Sequence, residues 1–252
     1  MYESEGLKQQ RRRRQIITAG VLALVLAAAV AAMVFAAGGS DSKASGCVIA
    51  DVSESTSEAR SRYAAAFGEF ASGIGNEGSG ELCLVVAAAK PLTEGTPISA
   101  YVGPDPEHVD KPQAKGDVEQ RVQTATSQLS QLLAEPSVDQ KGSALVEAAT
   151  VTADVLEPGD RLLILSDGFQ WSPTAGHLQE MDLDPVAIED LIRKLDGIGL
   201  VPDLEGVEIE FPFMLLHPGG LPNGEETALG IKSFWKAWVE ETGAEMVLPG
   251  QA

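Results

Sequence analysis

Basic side chains are scarce in this sequence. Eighteen Lys and Arg stand against 37 Asp and Glu among 252 residues, a formal net charge of −19. That excludes a reader of the phosphate backbone, because counterion release needs clustered Lys and Arg, so no nucleic-acid partner is expected. Aromatics are equally sparse at 5%, which removes the stacking platforms that hold single-stranded bases. Two cysteines are too few for a disulfide scaffold or a Cys-rich zinc module. The three histidines, His108, His177 and His217, have no metal-ligand spacing and read as solvated loop residues. Neither a Gly-x-Ser-x-Gly nucleophile elbow nor a Gly-x4-Gly-Lys phosphate loop occurs. What remains is plentiful apolar content, 44%, too much for a disordered chain. The length suits one good-sized domain, or at most two small ones.

The apolar residues are first concentrated near the N-terminus. Lys8 and Arg11 to Arg14 precede an uncharged, Ala-rich run from Ile16 to Ala37. At ~1.5 Å per residue this run spans roughly 33 Å, the thickness of a bilayer core. The expected organisation is a basic cytoplasmic tail (1–15), a transmembrane helix (16–37), a flexible linker (38–46, GGSDSKASG up to Gly46) and one domain (47–252). The positive-inside bias keeps the tail cytoplasmic and turns the domain outward. Signal-peptide cleavage near Ala36 and Gly38, giving a secreted protein, is the alternative, although the run is long for a signal h-region. Without the tail, 13 basic residues face 35 acidic ones, net −22. Such a domain is self-repelling and favours cations. Ala- and Gly-rich composition with a single anchor suggests a bacterial cell-envelope protein.

Beyond Cys47 strand and helix signals alternate. Short β-branched or apolar runs predict strands at Cys47 to Val52, Leu82 to Ala89, Thr96 to Gly103, Arg161 to Ser166, Val207 to Leu216 and the final EMVLP. Helical spacing of Ala59, Tyr63, Phe67, Phe70 and Ile74 predicts a helix started by a Ser55–Glu58 capping box and ended near Gly73 and Gly75. Further helices are expected on the faces Val118, Val122, Ala125, Leu129, Leu132; over roughly Ala144 to Val155; on Ile188, Leu191, Ile192, Leu195; and on Ile231, Phe234, Trp235, Trp238. The Phe234, Trp235 and Trp238 stripe reads as core. The pattern implies an α/β fold with a doubly wound, mainly parallel sheet. Such sheets bind ligands at the carboxyl ends of their strands. Cys47 and Cys83 fall near the starts of two strands that this fold makes neighbours. A disulfide is sterically possible there, while buried free thiols are the more frequent state.

Three strand-end motifs point to one place. The first strand ends in Asp51-Val-Ser53-Glu-Ser55, a later one in Ser166-Asp167-Gly168, and between them Gly142-Ser143 opens a helix. Two carboxylates and three hydroxyls form an all-oxygen set suited to Mg²⁺ or Mn²⁺ rather than Zn²⁺. Each motif also has a plainer reading: Ser55 and Ser143 as helix caps, and Ser166-Asp167-Gly168 as an ordinary turn.

The joint pattern resembles the von Willebrand factor type A (VWA) domain with its metal-ion-dependent adhesion site. Asp51, Ser53, Ser55 and Asp167 match that family's motif, and Ser143 stands where the family usually has Thr. The resemblance covers roughly Cys47 to the C-terminus. It implies a Rossmann-like sheet with one antiparallel edge strand, expected at Thr96 to Gly103, and metal-dependent binding of a protein partner, with no catalysis. The alternative from another class is a Mg²⁺-dependent hydrolase such as a haloacid-type phosphatase. That family needs a second Asp where Ser53 stands.

Overall fold

A computed structural model describes residues 46–56, 59–76, 80–88, 97–109, 111–134, 142–215 and 224–247. The expected tail, transmembrane helix and linker lie outside the described residues, as do Glu58 and His217, except that Gly46, expected to close the linker, opens the first strand. Among the described residues no helix is long and apolar enough to cross a membrane.

In chain order the described elements are β1 (Gly46–Asp51), α1 (Arg60–Asn76), β2 (Glu81–Ala87), β3 (Ile98–Tyr101), α2 (Ala114–Ala134), α3 (Leu145–Ala153), β4 (Arg161–Leu165), β5 (Trp171–Ser172), β6 (Gly176–His177), α4 (Pro185–Asp196), β7 (Glu208–Glu210), α5 (Gly224–Glu241) and β8 (Glu245–Val247). Six strands form one sheet in the order β3-β2-β1-β4-β7-β8, and β5 pairs with β6 in a small hairpin. Only β3 runs antiparallel in the large sheet, pairing Leu82 with Ala100 and Cys83 with Ser99. The expectation of a mixed α/β chain with a mainly parallel sheet holds, including the antiparallel edge.

Period-2 alternation splits the core in two. Cys47, Ile49, Val85, Leu162, Ile164 and Ile209 face one side, where residues of α3, α4 and α5 cover them. Val48, Ala50, Leu82, Leu84, Leu163 and Leu165 face the other, against α1 and α2. Both faces of the sheet are therefore buried, which is why its strands read as continuous apolar runs. The aromatic stripe of α5 is core as expected: Phe234, Trp235 and Trp238 are fully buried, with edge-to-face contacts to one another and to Phe211 at 5.3–5.6 Å. On α4, Asp184 caps the helix by accepting from Val186 and Ala187 N–H at 2.8 Å, with Pro185 in the first turn.

Several details differ from expectation. Helix α1 begins at Arg60, and Ser55 lies in a separate 3₁₀ turn (Glu54–Thr56), so Ser55 does not cap it. The helix continues through Gly73 and Gly75 to Asn76. Gly75 is there for close packing, since a Cβ would come within 2.6 Å of the Val102 carbonyl. On α2, Leu133 is buried and Leu132 only partly so. The expected strand from Val207 to Leu216 shrinks to Glu208–Glu210, because the chain turns at Phe211 and Pro212 has no N–H for a ladder. Cys47 and Cys83 are not free thiols. They sit in register on β1 and β2, with Cα atoms 4.4 Å apart, and form a disulfide.

Candidate functional site

The strand order reverses its direction of growth at β1, whose two neighbours are β2 and β4. At such a switch point the loops leaving adjacent strands diverge to opposite faces and open a crevice at the carboxyl edge. Asp51 ends β1, and Asp167 follows β4 by two residues. The topology thus puts the two carboxylates at one edge although 116 residues separate them.

The loop after β1 folds around Asp51. Its Oδ1 accepts the Ser53 N–H at 2.8 Å, and its Oδ2 accepts the Ser166 hydroxyl at 2.6 Å. Ser53 and Ser55 bring their hydroxyl oxygens to 3.1 Å of each other. Thr56 tightens the turn by donating to the carbonyls of Asp51 and Ser53, at 3.2 and 2.8 Å. Arg60 clamps it from outside, with Nη2 donating to the Val52 carbonyl and, at 2.7 Å, to that of Ser53.

The loop after β4 is equally constrained. Ser166 Oγ accepts the Gly168 N–H at 3.1 Å, and Asp167 Oδ1 accepts the Phe169 N–H at 3.0 Å. Gly168 adopts φ +88°, the left-handed region where a side chain is strained. The Trp235 indole on α5 donates to the Gly168 carbonyl at 2.8 Å and holds this turn from beneath. Leu215, with φ +55°, donates its N–H to the Asp167 carbonyl at 3.0 Å.

Ser143 reaches the same edge from a third segment. Its neighbour Ala144 donates to the carbonyl of Ala88, just beyond β2, at 3.2 Å; Trp171 donates to the Ser143 carbonyl at 2.9 Å. Gly142 leaves room for the Trp171 ring, which a Cβ there would overlap. Ser143 does not cap α3. The N-cap is Ala144, which has no side-chain cap. The Ser143 hydroxyl is buried and, among the described residues, has no hydrogen-bond partner. An unpaired buried hydroxyl costs roughly 1–3 kcal/mol.

The electrostatics point the same way. Burial, which dominates, together with the charge of Asp167, pushes the Asp51 carboxyl up to about 6, against the opposing pull of its Ser166 and Ser53 hydrogen bonds. Asp167 is also raised, chiefly by burial, with a hydrogen bond from the Ser55 hydroxyl acting oppositely. Tyr63, fully buried on α1, has its phenol pKa raised by burial and then by the charges of Asp51 and Asp167. Two like charges, one buried on Asp51 and one half-buried on Asp167, are unfavourable side by side. A hard divalent cation would relieve them, and an all-oxygen set of two carboxylates and neutral hydroxyls fits Mg²⁺ or Mn²⁺. Among the described residues no three His, Cys, Asp or Glu side chains cluster.

All five expected site residues therefore lie at one sheet edge. Thr56, Arg60 and Ser166, which support them, are not singled out by the sequence; Ser166 alone could have been suspected, since it abuts Asp167. The histidines behave differently from expectation. His108 is not simply solvated, because its Nδ1 lies 2.7 Å from Asp117, whose carboxyl it holds below the usual range. His177 is half-buried in β6, 3.1 Å from Glu180 and edge-on to Trp171. No family model and no curated protein matches this chain.

Proposed function

We propose that this chain is a membrane-anchored, outward-facing module of the von Willebrand factor type A kind, binding a protein partner through Mg²⁺ or Mn²⁺ held by Asp51, Ser53, Ser55, Ser143 and Asp167. The observation that carries this reading is the Ser143 hydroxyl, buried and unpartnered at the edge where both raised carboxylates lie. A helix-capping serine would have spent its hydroxyl on a backbone amide. The β3-β2-β1-β4 order with an antiparallel β3 supports the family reading. The Cys47–Cys83 disulfide supports the outward location, since disulfides persist in oxidising compartments.

In this reading Asp51 and Asp167 bring at most two negative charges to the ion, and the serines contribute neutral oxygens. The ion so held keeps an open, electrophilic position that a partner Asp or Glu can fill by charge-assisted coordination. The domain's own negative charge repels a broadly acidic surface, so the partner offers one acid within a neutral or basic patch. The test is a thermal melt of the full-length chain in detergent, first with chelator and then with excess Mg²⁺ or Mn²⁺. Saturation at 100 times Kd adds about 2.7 kcal/mol. An unchanged melting temperature overturns the metal reading. Protease added to intact cells should digest the domain; full protection refutes the orientation.

A further inference from the structure

The unusual point about Ser143 is that its hydroxyl stays free although it sits one residue before the N-cap of α3. Serine is among the best capping residues. If Ser143 became the N-cap, its hydroxyl would bond the N3 amide, which is Val146. That amide is already taken: Gln170 Oε1 accepts the Val146 N–H at 3.0 Å, from 24 residues away. The orientation of the Gln170 amide is fixed at its other end, where Nε2 donates to Glu147 Oε2 at 3.1 Å. A carboxylate only accepts and an N–H only donates, so one arrangement of the amide satisfies both neighbours. Ser172 donates to the other Glu147 oxygen, and its own Oγ accepts the Ala175 N–H. Glu147, Gln170 and Ser172 are all buried. The Trp171 N–H donates to the Ser143 carbonyl at 2.9 Å, which leaves that carbonyl a second lone pair for a first helical bond.

We propose that Gln170, held by Glu147, is a positioning residue: by occupying the Val146 amide it prevents Ser143 from capping α3 and keeps the Ser143 hydroxyl available to a ligand at the Asp51–Asp167 edge. The ligand part rests on the metal reading above; the exchange of caps does not. The segment after Asp167 thereby sets the state of the segment carrying Ser143, and β5 and β6 serve to anchor it.

The cap exchange is read first in chelated full-length protein, by amide hydrogen exchange over residues 143–150. In Gln170→Met, Ser143 takes the vacated amide and protection of Val146 stays near wild type. In Gln170→Met/Ser143→Ala nothing is left to cap, and exchange is about tenfold faster, the equivalent of one lost hydrogen bond. If the double variant exchanges no faster than the single one, the proposal is overturned. The second arm titrates Mn²⁺. Gln170→Met should weaken binding by roughly tenfold or more, as removing groups that orient ligands does. Adding Ala144→Ser, which gives α3 a local cap, should restore it. Undiminished Mn²⁺ binding in Gln170→Met, or no rescue by Ala144→Ser, also overturns the proposal. Absence of Mn²⁺ binding in the wild type refutes the metal reading and with it the ligand role, and the exchange arm still decides the cap. Should Gln170→Met not fold, Gln170→Asn retracts the carbonyl by one methylene, keeps a polar group beside Glu147, and yields the same readouts.

Discussion

Replacing Asp51 by Asn should make the metal-free protein more stable at neutral pH. The carboxyl is completely buried and its pKa lies at about 6, against 3.8 for the free side chain. At ~1.4 kcal/mol per unit this amounts to about 3 kcal/mol. The sign is unusual for an aspartate. The folded state holds the proton more tightly than the unfolded one, so between pH 4 and 6 folding takes up a proton and stability falls as pH rises. The penalty is absent below about 4 and complete above about 6. Asn keeps an acceptor for the Ser53 N–H and presents a donor to Ser166 Oγ, which has lone pairs to receive it. Urea unfolding in chelator at pH 7 should therefore show a higher midpoint with an unchanged slope, a gain of up to about 3 kcal/mol. At pH 4 the difference between variant and wild type should nearly vanish. Excess Mg²⁺ should stabilise the wild type and leave Asp51→Asn unmoved. A loss of more than about 1 kcal/mol in chelated Asp51→Asn, with no pH dependence in the difference, would refute the reasoning.

Ser143→Ala removes a hydroxyl that has no partner, so chelated stability should hold or rise slightly while Mn²⁺ affinity falls, by calorimetry. Ser143→Thr keeps the hydroxyl and should retain most of that affinity. Replacing Cys47 and Cys83 together by Ala opens a cross-link over 36 residues, and denaturant melts should show a loss of 2–4 kcal/mol, roughly the chain-entropy value for that loop. Trp235→Phe deletes the hydrogen bond to the Gly168 carbonyl. It should cost about 1 kcal/mol of stability and weaken Mn²⁺ binding measurably, since the turn bearing Asp167 loses its support.

How much of this was legible in the sequence follows from which interactions are local. Asp51 and Asp167 stand out because a short apolar run that stops at an aspartate marks the end of a buried parallel strand. Alternation of such runs with helical spacing is enough to bring strand ends to one edge, so the carboxylates and Ser143 could be paired before any coordinates. The antiparallel edge strand was expected from the resemblance to the VWA family, not from the pattern of runs. Contacts between distant segments were not. Gln170 caps a helix 24 residues upstream, and no local pattern distinguishes it from any surface glutamine. The same holds for Arg60, whose Nη1 donates to the Leu133 carbonyl 73 residues on. The Val207 to Leu216 stretch misled because its apolar residues serve two purposes: Ile209 lies in the sheet, while Phe211 and Phe213 pack at turns. The disulfide required the register of β1 on β2, which composition does not contain.

The indole of Trp235 has a consequence for how the protein is made. It lies 67 residues beyond the glycine carbonyl it supports, on a helix that follows every residue of the candidate site. During synthesis the chain emerges N-terminal end first. Asp51, Ser143 and Asp167 are therefore all exposed to solvent before the group that props up the Asp167 turn exists. A nascent chain halted before α5 carries every residue of the candidate site and yet has an unsupported turn and a partly uncovered sheet face. Completion of α5 is thus the step that props the Asp167 turn and covers that face of the sheet. If the edge holds a cation as proposed, its capture would therefore wait for the last helix, and a copy truncated before α5 should bind it more weakly.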